Sequence, residues 1–257
     1  MIKIIITGAT GKMGLALSGA VEEDKAVEVW GAVERKGHPS VGSIYFYGVK
    51  LVDDLSLVLD KSDVVIDFTS PEATMEYVDI CQKANLPMVI GTTGLSHDQM
   101  AYLKQSAKFI PILYSANMSF GMNLLFKVMG EIAKDLSDYD VEIIEAHHCQ
   151  KKDAPSGTAK KLAEIIAKAR ALELEDVAVY GRKGEIGARK KEEIGIMSVR
   201  AGDIVGDHTI IFAAGSERIE LIHRVHKREA FATGALKAAK FLVGKDPGLY
   251  SMLDIFR

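Results

Sequence analysis

Three glycines directly after a short apolar run constrain the fold of this chain more than any other feature of its sequence. The run, Ile2–Thr7, is apolar and β-branched, which indicates a buried strand. Gly8, Gly11 and Gly14 follow in a GxxGxxG spacing where a helical pattern begins. Glycine lets the backbone approach a phosphate closely, and a helix start offers free N–H groups and a partial positive charge. The turn therefore predicts a dinucleotide-binding site on a doubly wound α/β sheet.

A carboxylate stands at the expected distance after this turn. Glu34 lies 20 residues past Gly14, at the end of a predicted strand, where it would meet the ribose hydroxyls of NAD. Arg35 follows it and is suited to pair with the 2′-phosphate of NADP. The alternative is a turn that needs glycine only for sharpness and close packing, because the spacing departs from GxGxxG. The order of strand, turn, helix, strand and acid favours dinucleotide binding, and we expect use of both NADH and NADPH.

Strand-like and helix-like segments alternate through the first part of the chain. Such alternation predicts right-handed crossovers and a Rossmann-like parallel sheet covered on both faces. We assign residues 1–118 to this dinucleotide-binding domain. The predicted strands are residues 2–7, 27–33, 63–68, 87–90 and 110–114, and the predicted helices are residues 11–23, 71–84 and 96–108.

The pattern changes after about residue 117, because several strands now follow one another closely. This indicates a second, α+β domain with a mixed or antiparallel sheet, which we assign to residues 119–228 as the substrate-binding and oligomerisation domain. We expect the amphipathic C-terminal segment 229–257 to pack back on the first domain. Residues 181–195, rich in Gly, Lys, Arg and Glu, are long for a loop, so we expect them to be ordered by a subunit contact or mobile. The predicted elements are helices 121–136, 156–171 and 229–243 and strands 140–146, 196–200, 208–214 and 218–225.

Composition excludes several functional classes. The formal net charge of −3 offers no global basic field for nucleic acid or a membrane surface. The two cysteines, Cys81 and Cys149, form no CxxC pair, which argues against a disulfide framework or a thiolate metal site. No apolar run is long enough to span a bilayer. These features predict a cytoplasmic protein without nucleic-acid or membrane partners.

The densest chemistry lies between Glu145 and Thr158, on a predicted loop between a strand and a helix. Two adjacent histidines, His147 and His148, are suited to proton transfer near neutral pH, and Lys151 is suited to donate to or hold an anion. The start of the next helix offers backbone N–H groups that could cradle a carboxylate. The alternative is a solvated polar loop with a simple helix cap. A zinc site is disfavoured because adjacent histidines project differently and no thiolate cluster joins them, so we predict no metal.

Two further polar segments follow predicted strands of the first domain. They are Asp67–Thr69 and Gly91–Gly94, and we expect both to border the nicotinamide half of the cofactor. Each segment taken alone also fits an ordinary strand-to-helix loop.

The stretch E-A-H-H-x-x-K-x-D-A-P-S-G-T-A closely resembles the signature of the dihydrodipicolinate reductases, now described as 4-hydroxy-tetrahydrodipicolinate reductases. The resemblance covers essentially the whole chain and includes residues 8–14, 34–35, 67–69, 91–94, 117, 200–203 and 206–208. It implies reduction of a cyclic imine dicarboxylate to tetrahydrodipicolinate by hydride from a nicotinamide, in diaminopimelate and lysine biosynthesis. It also implies a homotetramer.

The same resemblance implies roles for individual residues. His147 resembles the residue assigned to proton transfer, and Lys151 resembles the proton donor that also holds the substrate; which of them delivers the proton stays open. The substrate dicarboxylate would be bound by His148, Lys151, Gly157, Thr158 and Arg228, the last approaching from the domain junction. The cofactor contacts would be Gly8, Ala9, Thr10, Gly11, Lys12, Met13, Glu34, Arg35, Gly91, Thr92, Thr93, Ser115, Ala116, Asn117 and Met118.

Two other functions compete with a reductase of this family. Short-chain dehydrogenases also begin with GxxGxxG, but they need a tyrosine with a lysine four residues on, and none of the eight tyrosines here has one. The second alternative is a non-catalytic NAD(P)-binding redox sensor, which would not need His147 and Lys151.

Overall fold

The structure is a computed structural model that describes residues 1–256. The described chain divides into two compact units. The first consists of Met1–Phe120 together with the segment from Arg228 onward, and the second consists of Gly121–Lys227.

The secondary structure alternates strand and helix through residue 114 and changes to closely spaced strands later. The helices are α1 (Lys12–Glu22), α2 (Pro71–Ala84), α3 (His97–Ser106), α4 (Phe120–Asp135), α5 (Gly157–Ala169), α6 (Leu174–Val177) and α7 (Glu229–Leu242), with short 3-10 turns at Leu55–Val58 and Met252–Phe256. The strands are β1 (Ile2–Thr7), β2 (Val27–Val33), β3 (Ile44–Phe46), β4 (Val49–Val52), β5 (Val64–Asp67), β6 (Met88–Ile90), β7 (Pro111–Tyr114), β8 (Asp140–His147), β9 (Ala178–Val179), β10 (Ile194–Arg200), β11 (Gly206–Ala213), β12 (Arg218–Val225) and β13 (Gly248–Tyr250).

The first unit is built on one sheet with the strand order β13-β7-β6-β5-β1-β2-β4-β3. Its neighbouring strands are parallel except for the edge pair β3 and β4, so the predicted Rossmann-like parallel sheet is confirmed. The chain crosses from one side of β1 to the other between β2 and β5. The carboxyl ends of β1, β2, β5 and β6 therefore lie side by side, which is where ligands bind in such sheets.

Apolar faces of the helices hold this sheet from both sides. Leu17 of α1 and Ala235 and Leu242 of α7 belong to the same buried cluster as Ile4 and Ile6 of β1. The C-terminal helix therefore packs within the first unit. On the other side, α2 and α3 contribute to a second cluster, in which Val78 and Leu103 lie with strand residues such as Ile5.

The second unit is built on a mixed sheet with the order β12-β11-β8-β10-β9. Strand β10 runs parallel to β8, and β11 runs antiparallel to both β8 and β12. Its inner face packs on α4 and α5, with Ile143, Leu162 and Phe212 in one buried cluster. The predicted second, mixed-sheet domain is confirmed.

Two boundaries differ from the sequence-based prediction in ways that matter for the site. The prediction ended β8 at Ala146, but pairing with Arg200 of β10 carries the strand through His147. His147 is therefore fixed on a sheet rather than on a loop. Strand β10 also begins earlier, at Ile194, inside the segment expected to be a loop.

The rest of the segment 181–195 is hydrogen-bonded to strand β8 of the same chain. Arg182 makes two hydrogen bonds to Glu142 of β8, at 2.9 and 2.8 Å. Arg189 donates to Asp140 at 2.7 Å and to the carbonyl of Val141 at 3.1 Å. These two arginines hold the segment against β8.

Candidate active site

The glycine turn is shaped by close backbone packing in the first unit. Gly8 has φ +62°, a conformation that favours glycine, and its carbonyl oxygen accepts a hydrogen bond from Gly11 N at 3.0 Å. A methyl group on Gly14 would lie 2.2 Å from the carbonyl oxygen of Ala9. Helix α1 therefore begins directly on the turn, and the N–H groups of its first residues, Lys12 and Met13, are available at its end.

Glu34 lies beside this turn. Its Oε2 accepts hydrogen bonds from Thr10 Oγ1 at 2.6 Å and from Thr10 N at 3.2 Å, while Oε1 accepts from Arg35 N at 3.0 Å. Partial burial opposes ionisation of Glu34, but these bonds outweigh it and lower its pKa. The Arg35 side chain is exposed. The two residues thus present a carboxylate and a guanidinium next to the turn.

Asp67, in the predicted polar segment after β5, is the centre of a hydrogen-bond network. Its carboxylate is fully buried and accepts hydrogen bonds from four threonine hydroxyls at 2.6–2.8 Å. These threonines come from β1, from the loop after β5, from α2 and from the loop after β6, so Asp67 links these elements at the strand ends. The donors are Thr7, Thr69, Thr74 and Thr92.

The remaining predicted cofactor residues also lie at strand ends of the first unit. Gly91 and Thr92, directly after β6, are buried, whereas Thr93 is exposed. A methyl group on Gly91 would lie 2.1 Å from the Phe68 ring, so a larger residue there would have to displace that ring.

The segment after β7 is a tight turn. Ser115 Oγ donates to the carbonyl of Asn117 at 2.7 Å, and Asn117 Oδ1 accepts from Ser119 N at 2.9 Å. Met118 is buried, while Ala116 is exposed. The first unit therefore gathers the predicted cofactor residues along the carboxyl edge of its sheet.

This edge fits a dinucleotide. The turn has glycine at positions 8, 11 and 14, and α1 begins without a side-chain cap, so its first N–H groups can serve as donors to a phosphate. No group of three or more His, Cys, Asp or Glu residues within residues 1–256 is placed to hold a metal ion.

A buried ionic cluster forms the centre of the second unit. Glu145 Oε2 lies 2.5 Å from His147 Nδ1, and both residues sit on β8 pointing to the same side. Arg200 of β10 pairs with both Glu145 oxygens, at 2.7 and 2.8 Å. Ser156 N also donates to Glu145 Oε1 at 3.2 Å. The carboxylate is thus held from three directions.

These contacts shift the pKa values of both partners. Burial of Glu145 opposes ionisation, yet hydrogen bonds from Arg200, Ser198 and His147 outweigh it and lower its pKa to about 2. Burial lowers the pKa of His147, and the nearby cations Lys151 and Arg200 act in the same direction against the attraction of Glu145. A neutral imidazole beside an ionised carboxylate must place its Nδ1 proton between them. Nε2 is then the unprotonated nitrogen.

A second histidine, His208 of β11, packs edge-on against His147, with ring centroids 5.3 Å apart. Its Nε2 lies 3.1 Å from Ser156 Oγ, and that hydroxyl also caps α5 by accepting from Ala159 N at 3.1 Å. Burial lowers the pKa of His208 to about 3, and the neighbouring His147 adds to this effect. His208 is therefore neutral, and its ring packs against the ring of His147.

The loop after β8 carries the predicted lysine. Lys151 Nζ lies 2.8 Å from Asp153 Oδ1 and is mostly shielded from solvent. The loop is anchored by the hydrogen bond from Cys149 N to the Gly202 carbonyl, at 3.1 Å. His148 is half-buried at the start of this loop.

Gly157 and Thr158 begin α5 directly after the Ser156 cap. The structure thus brings His147, His148, Lys151, Gly157 and Thr158 together at one end of β8 and α5. Arg228 belongs to the first unit, where its carbonyl accepts from Phe231 N at 2.9 Å as α7 begins.

Arg200, His208 and Gly206 stand near His147 but were given no role from sequence. A methyl group on Gly206 would lie 3.1 Å from His147 Nε2. The pairing of Arg200 with His147 and the register of β11 on β8 bring them there, and only the order of strands in the sheet reveals it.

The first unit has the sheet edge of a dinucleotide-binding domain, and the second has a His–Glu pair and a lysine. Together these features define a two-domain oxidoreductase of the pyridine-nucleotide class. Family models described as the N-terminus and the C-terminus of dihydrodipicolinate reductase match residues 2–118 and 121–256. The chain belongs to the dihydrodipicolinate reductase family.

Curated relatives support the same assignment. A 4-hydroxy-tetrahydrodipicolinate reductase from Syntrophus aciditrophicus is 47% identical, with 99% of this chain and 98% of the relative covered. One from Hahella chejuensis is 48% identical over the same shares. Among solved structures, a dipicolinate-bound dihydrodipicolinate reductase from Paenisporosarcina sp. TG-14 aligns with a TM-score of 0.79 and 28% identity, covering 98% of this chain and 97% of that one.

Proposed function

We propose that this chain reduces 4-hydroxy-tetrahydrodipicolinate to tetrahydrodipicolinate, a step of diaminopimelate and lysine biosynthesis, with NADH or NADPH as reductant. The observation that carries the proposal is the grouping of His147, Lys151 and the start of α5 at one strand end. The names of the full-length relatives support the substrate. We place the reaction in the cytoplasm.

The first unit is the proposed cofactor-binding part. Its glycine turn and the first N–H groups of α1 would hold the pyrophosphate, and Glu34 would meet the ribose hydroxyls. Arg35 would pair with a 2′-phosphate, which is why we propose that both cofactors serve. The segments at 91–93 and 115–118 would border the rest of the dinucleotide. When bound, the reduced nicotinamide supplies a hydride.

The second unit is the proposed substrate-binding part. Two carboxylates on the substrate need cations and N–H donors, which Lys151, His148 and the N–H groups of Gly157 and Thr158 provide. Arg228 is a further proposed carboxylate ligand. Fixing both carboxylates orients the ring for reaction.

Loss of the 4-hydroxyl group as water turns the substrate into a conjugated C=N system. Hydride addition to that system leaves a carbanion equivalent that takes up one proton. We assign its delivery to Lys151, because the ammonium is a proton donor whereas Nε2 of a neutral His147 is an acceptor. Nε2 of His147 would then take up a proton from water and pass it to the neutral amine of Lys151, which restores the ammonium.

A spectrophotometric assay with freshly generated substrate tests the proposal. We expect oxidation of both NADH and NADPH, measured as separate KM and kcat values. The redox-sensor alternative predicts cofactor binding by fluorescence titration with no turnover from either nucleotide, and that result would exclude the reductase.

We also propose that four copies assemble through the outer face of the second sheet. Ile144, Val199 and Ile222 are 38%, 44% and 50% exposed there. Ile144 and Ile222 lie in one row with Thr209 between them, and Val199 lies in the next row beside Ala146. Such an apolar face is costly to leave in water.

Sedimentation velocity tests this assembly. Ile222→Asp should lower the mass from a tetramer to smaller species, whereas the same change at exposed Leu57 in the first unit should not. A tetramer that survives Ile222→Asp together with Ile144→Asp would exclude this face.

No helix within residues 1–256 is both long and apolar enough to cross a bilayer.

A further inference from the structure

Glu145 is placed to control His147 rather than to meet substrate. It is fully buried, and its two oxygens are already engaged by His147, Arg200 and Ser156 N. No oxygen is left pointing to a ligand. Its distance of 2.5 Å to Nδ1 makes the contact with His147 a strong, charge-assisted one.

Arg200 is the third member of this chain of contacts. Its guanidinium spans both oxygens of Glu145 and also donates to the carbonyl of Asp153, at 2.6 Å. The positive charge balances Glu145, so the carboxylate does not need a charged imidazole as a partner. A carboxylate without this balance would draw a second proton onto His147.

We propose that Glu145 and Arg200 form a positioning pair that keeps His147 neutral, with its proton on Nδ1 and its Nε2 free to accept. Neither residue touches substrate under this proposal; both act through His147. The inference rests on the proposed function for its catalytic meaning, but the state of the imidazole is independent of turnover.

The charged and titratable groups that face His147 come from four elements. Glu145 lies on its own strand, Arg200 on β10, Lys151 on the following loop and His208 on β11. Asp153 offsets the charge of Lys151. Of these groups, only Glu145 is hydrogen-bonded to the ring, and its charge favours the protonated imidazole, whereas the charge of Arg200 disfavours it. Removal of Glu145 should therefore lower the pKa of His147, and removal of Arg200 should raise it.

Nitrogen NMR of histidine imidazoles tests this without substrate. The protein is labelled with 15N-histidine, and His147 is assigned by the signal lost in His147→Gln. We expect a neutral ring at pH 7 with the proton on Nδ1. Arg200→Met should raise the pKa of His147 by about one unit, and Glu145→Gln should lower it.

A matched control is an arginine that pairs with another glutamate of β8. Arg182 makes an equivalent two-bond pair with Glu142 on the other face of β8, so Arg182→Met should leave the His147 titration unchanged. If Arg200→Met fails to fold, Arg200→Lys keeps the charge and loses the two-point contact, and a smaller rise is expected. In each variant, the pKa obtained from the kcat/KM pH profile should shift in the same direction as the pKa of His147 measured by NMR.

A wild-type ring protonated on Nε2 overturns the proposal, as does a His147 titration that stays in place in both Arg200 variants and in Glu145→Gln. Absence of turnover in a protein with the expected NMR behaviour would instead refute the proposed function alone.

Discussion

Glu34 and Thr10 are joined by two hydrogen bonds to a single carboxylate oxygen, one from the hydroxyl at 2.6 Å and one from the backbone at 3.2 Å. This ties the end of β2 to the glycine turn that opens α1. The carboxylate is consequently held in place before any ligand arrives. Arg35 has no comparable restraint on its exposed side chain. The two neighbours therefore offer a fixed acceptor and an adaptable cation.

Arg35→Ala should separate the two cofactors. Loss of a guanidinium that pairs with a 2′-phosphate should raise KM for NADPH about 10-fold while KM for NADH stays within about twofold. Steady-state kinetics with both cofactors measures the ratio. Lys36→Ala is the matched control, since this neighbouring cation is also exposed and should affect neither cofactor selectively. Equal losses with NADH and NADPH in Arg35→Ala would contradict the assignment.

Removal of the proposed proton-handling groups should affect chemistry more than cofactor binding. Lys151→Ala and His147→Gln should each lower kcat by about 100-fold or more, because positioned proton transfer contributes that much. The Kd for NADH, measured by fluorescence, should stay near that of the wild type. Lys152→Ala removes the exposed adjacent lysine and should leave kcat within about twofold. Near-wild-type turnover in both site variants would refute these roles.

The sequence predicts the first sheet well because its central strands are continuous apolar runs separated by helix signals. The limits of β2, α2 and β12 agree with the prediction, and α2 begins with a Ser70 cap followed by Pro71, two residue types that favour a helix start. The short strands β3, β4, β9 and β13, which lie at or next to a sheet edge, were not predicted. They have two to four residues each, and their pairing depends on neighbours rather than on a pattern of their own.

In the candidate site, too, the sequence predicts the local features but not the contacts between distant segments. Local motifs and family resemblance identify His147 and Lys151, but they do not identify what holds His147. Arg200 is 55 residues from Glu145 along the chain, and Ser156 is 52 residues from His208. Such contacts are set by strand order. Asp67 is a second example, because its place in a polar segment at a strand end is visible in the sequence, whereas the four threonine hydroxyls bound to its carboxylate are not.

Two glycines of α1 should respond oppositely to alanine. Gly19→Ala meets no atom within 4 Å and should stabilise the protein by about 0.5–1 kcal/mol, because alanine is the better helix former. In Gly14→Ala the methyl would press on the Ala9 carbonyl, and the strain should cost about 1–3 kcal/mol and weaken NADH binding. Urea denaturation and NADH titration measure the two effects. If Gly14→Ala were as stable as Gly19→Ala and bound NADH equally well, the turn would not need its observed close packing.

Stability should fall as the pH drops from 7 to 5, and His208 should account for part of the loss. The pKa of His208 is about 3 in the folded protein, against an ordinary value of 6.5, so only the unfolded chain takes up a proton as the pH falls below 6.5. The stabilisation is complete above 6.5 and is lost progressively toward 3. By pH 5 the cost is about 2 kcal/mol. The pKa of Glu145 is about 2, against 4.5 ordinarily, so its own contribution is lost only at lower pH.

Urea denaturation at pH 7 and pH 5, at one protein concentration, measures this loss in wild type and in His208→Gln. The amide can still form a hydrogen bond with Ser156 Oγ but does not titrate, so the variant should lose about 2 kcal/mol less than the wild type over this range. His147 and His223, whose pKa values are also lowered by burial, are present in both proteins and cancel in the comparison. His97→Gln removes an exposed histidine and should leave the pH dependence of the wild type intact. An unchanged pH dependence in His208→Gln would mean that His208 is not held neutral in the folded protein.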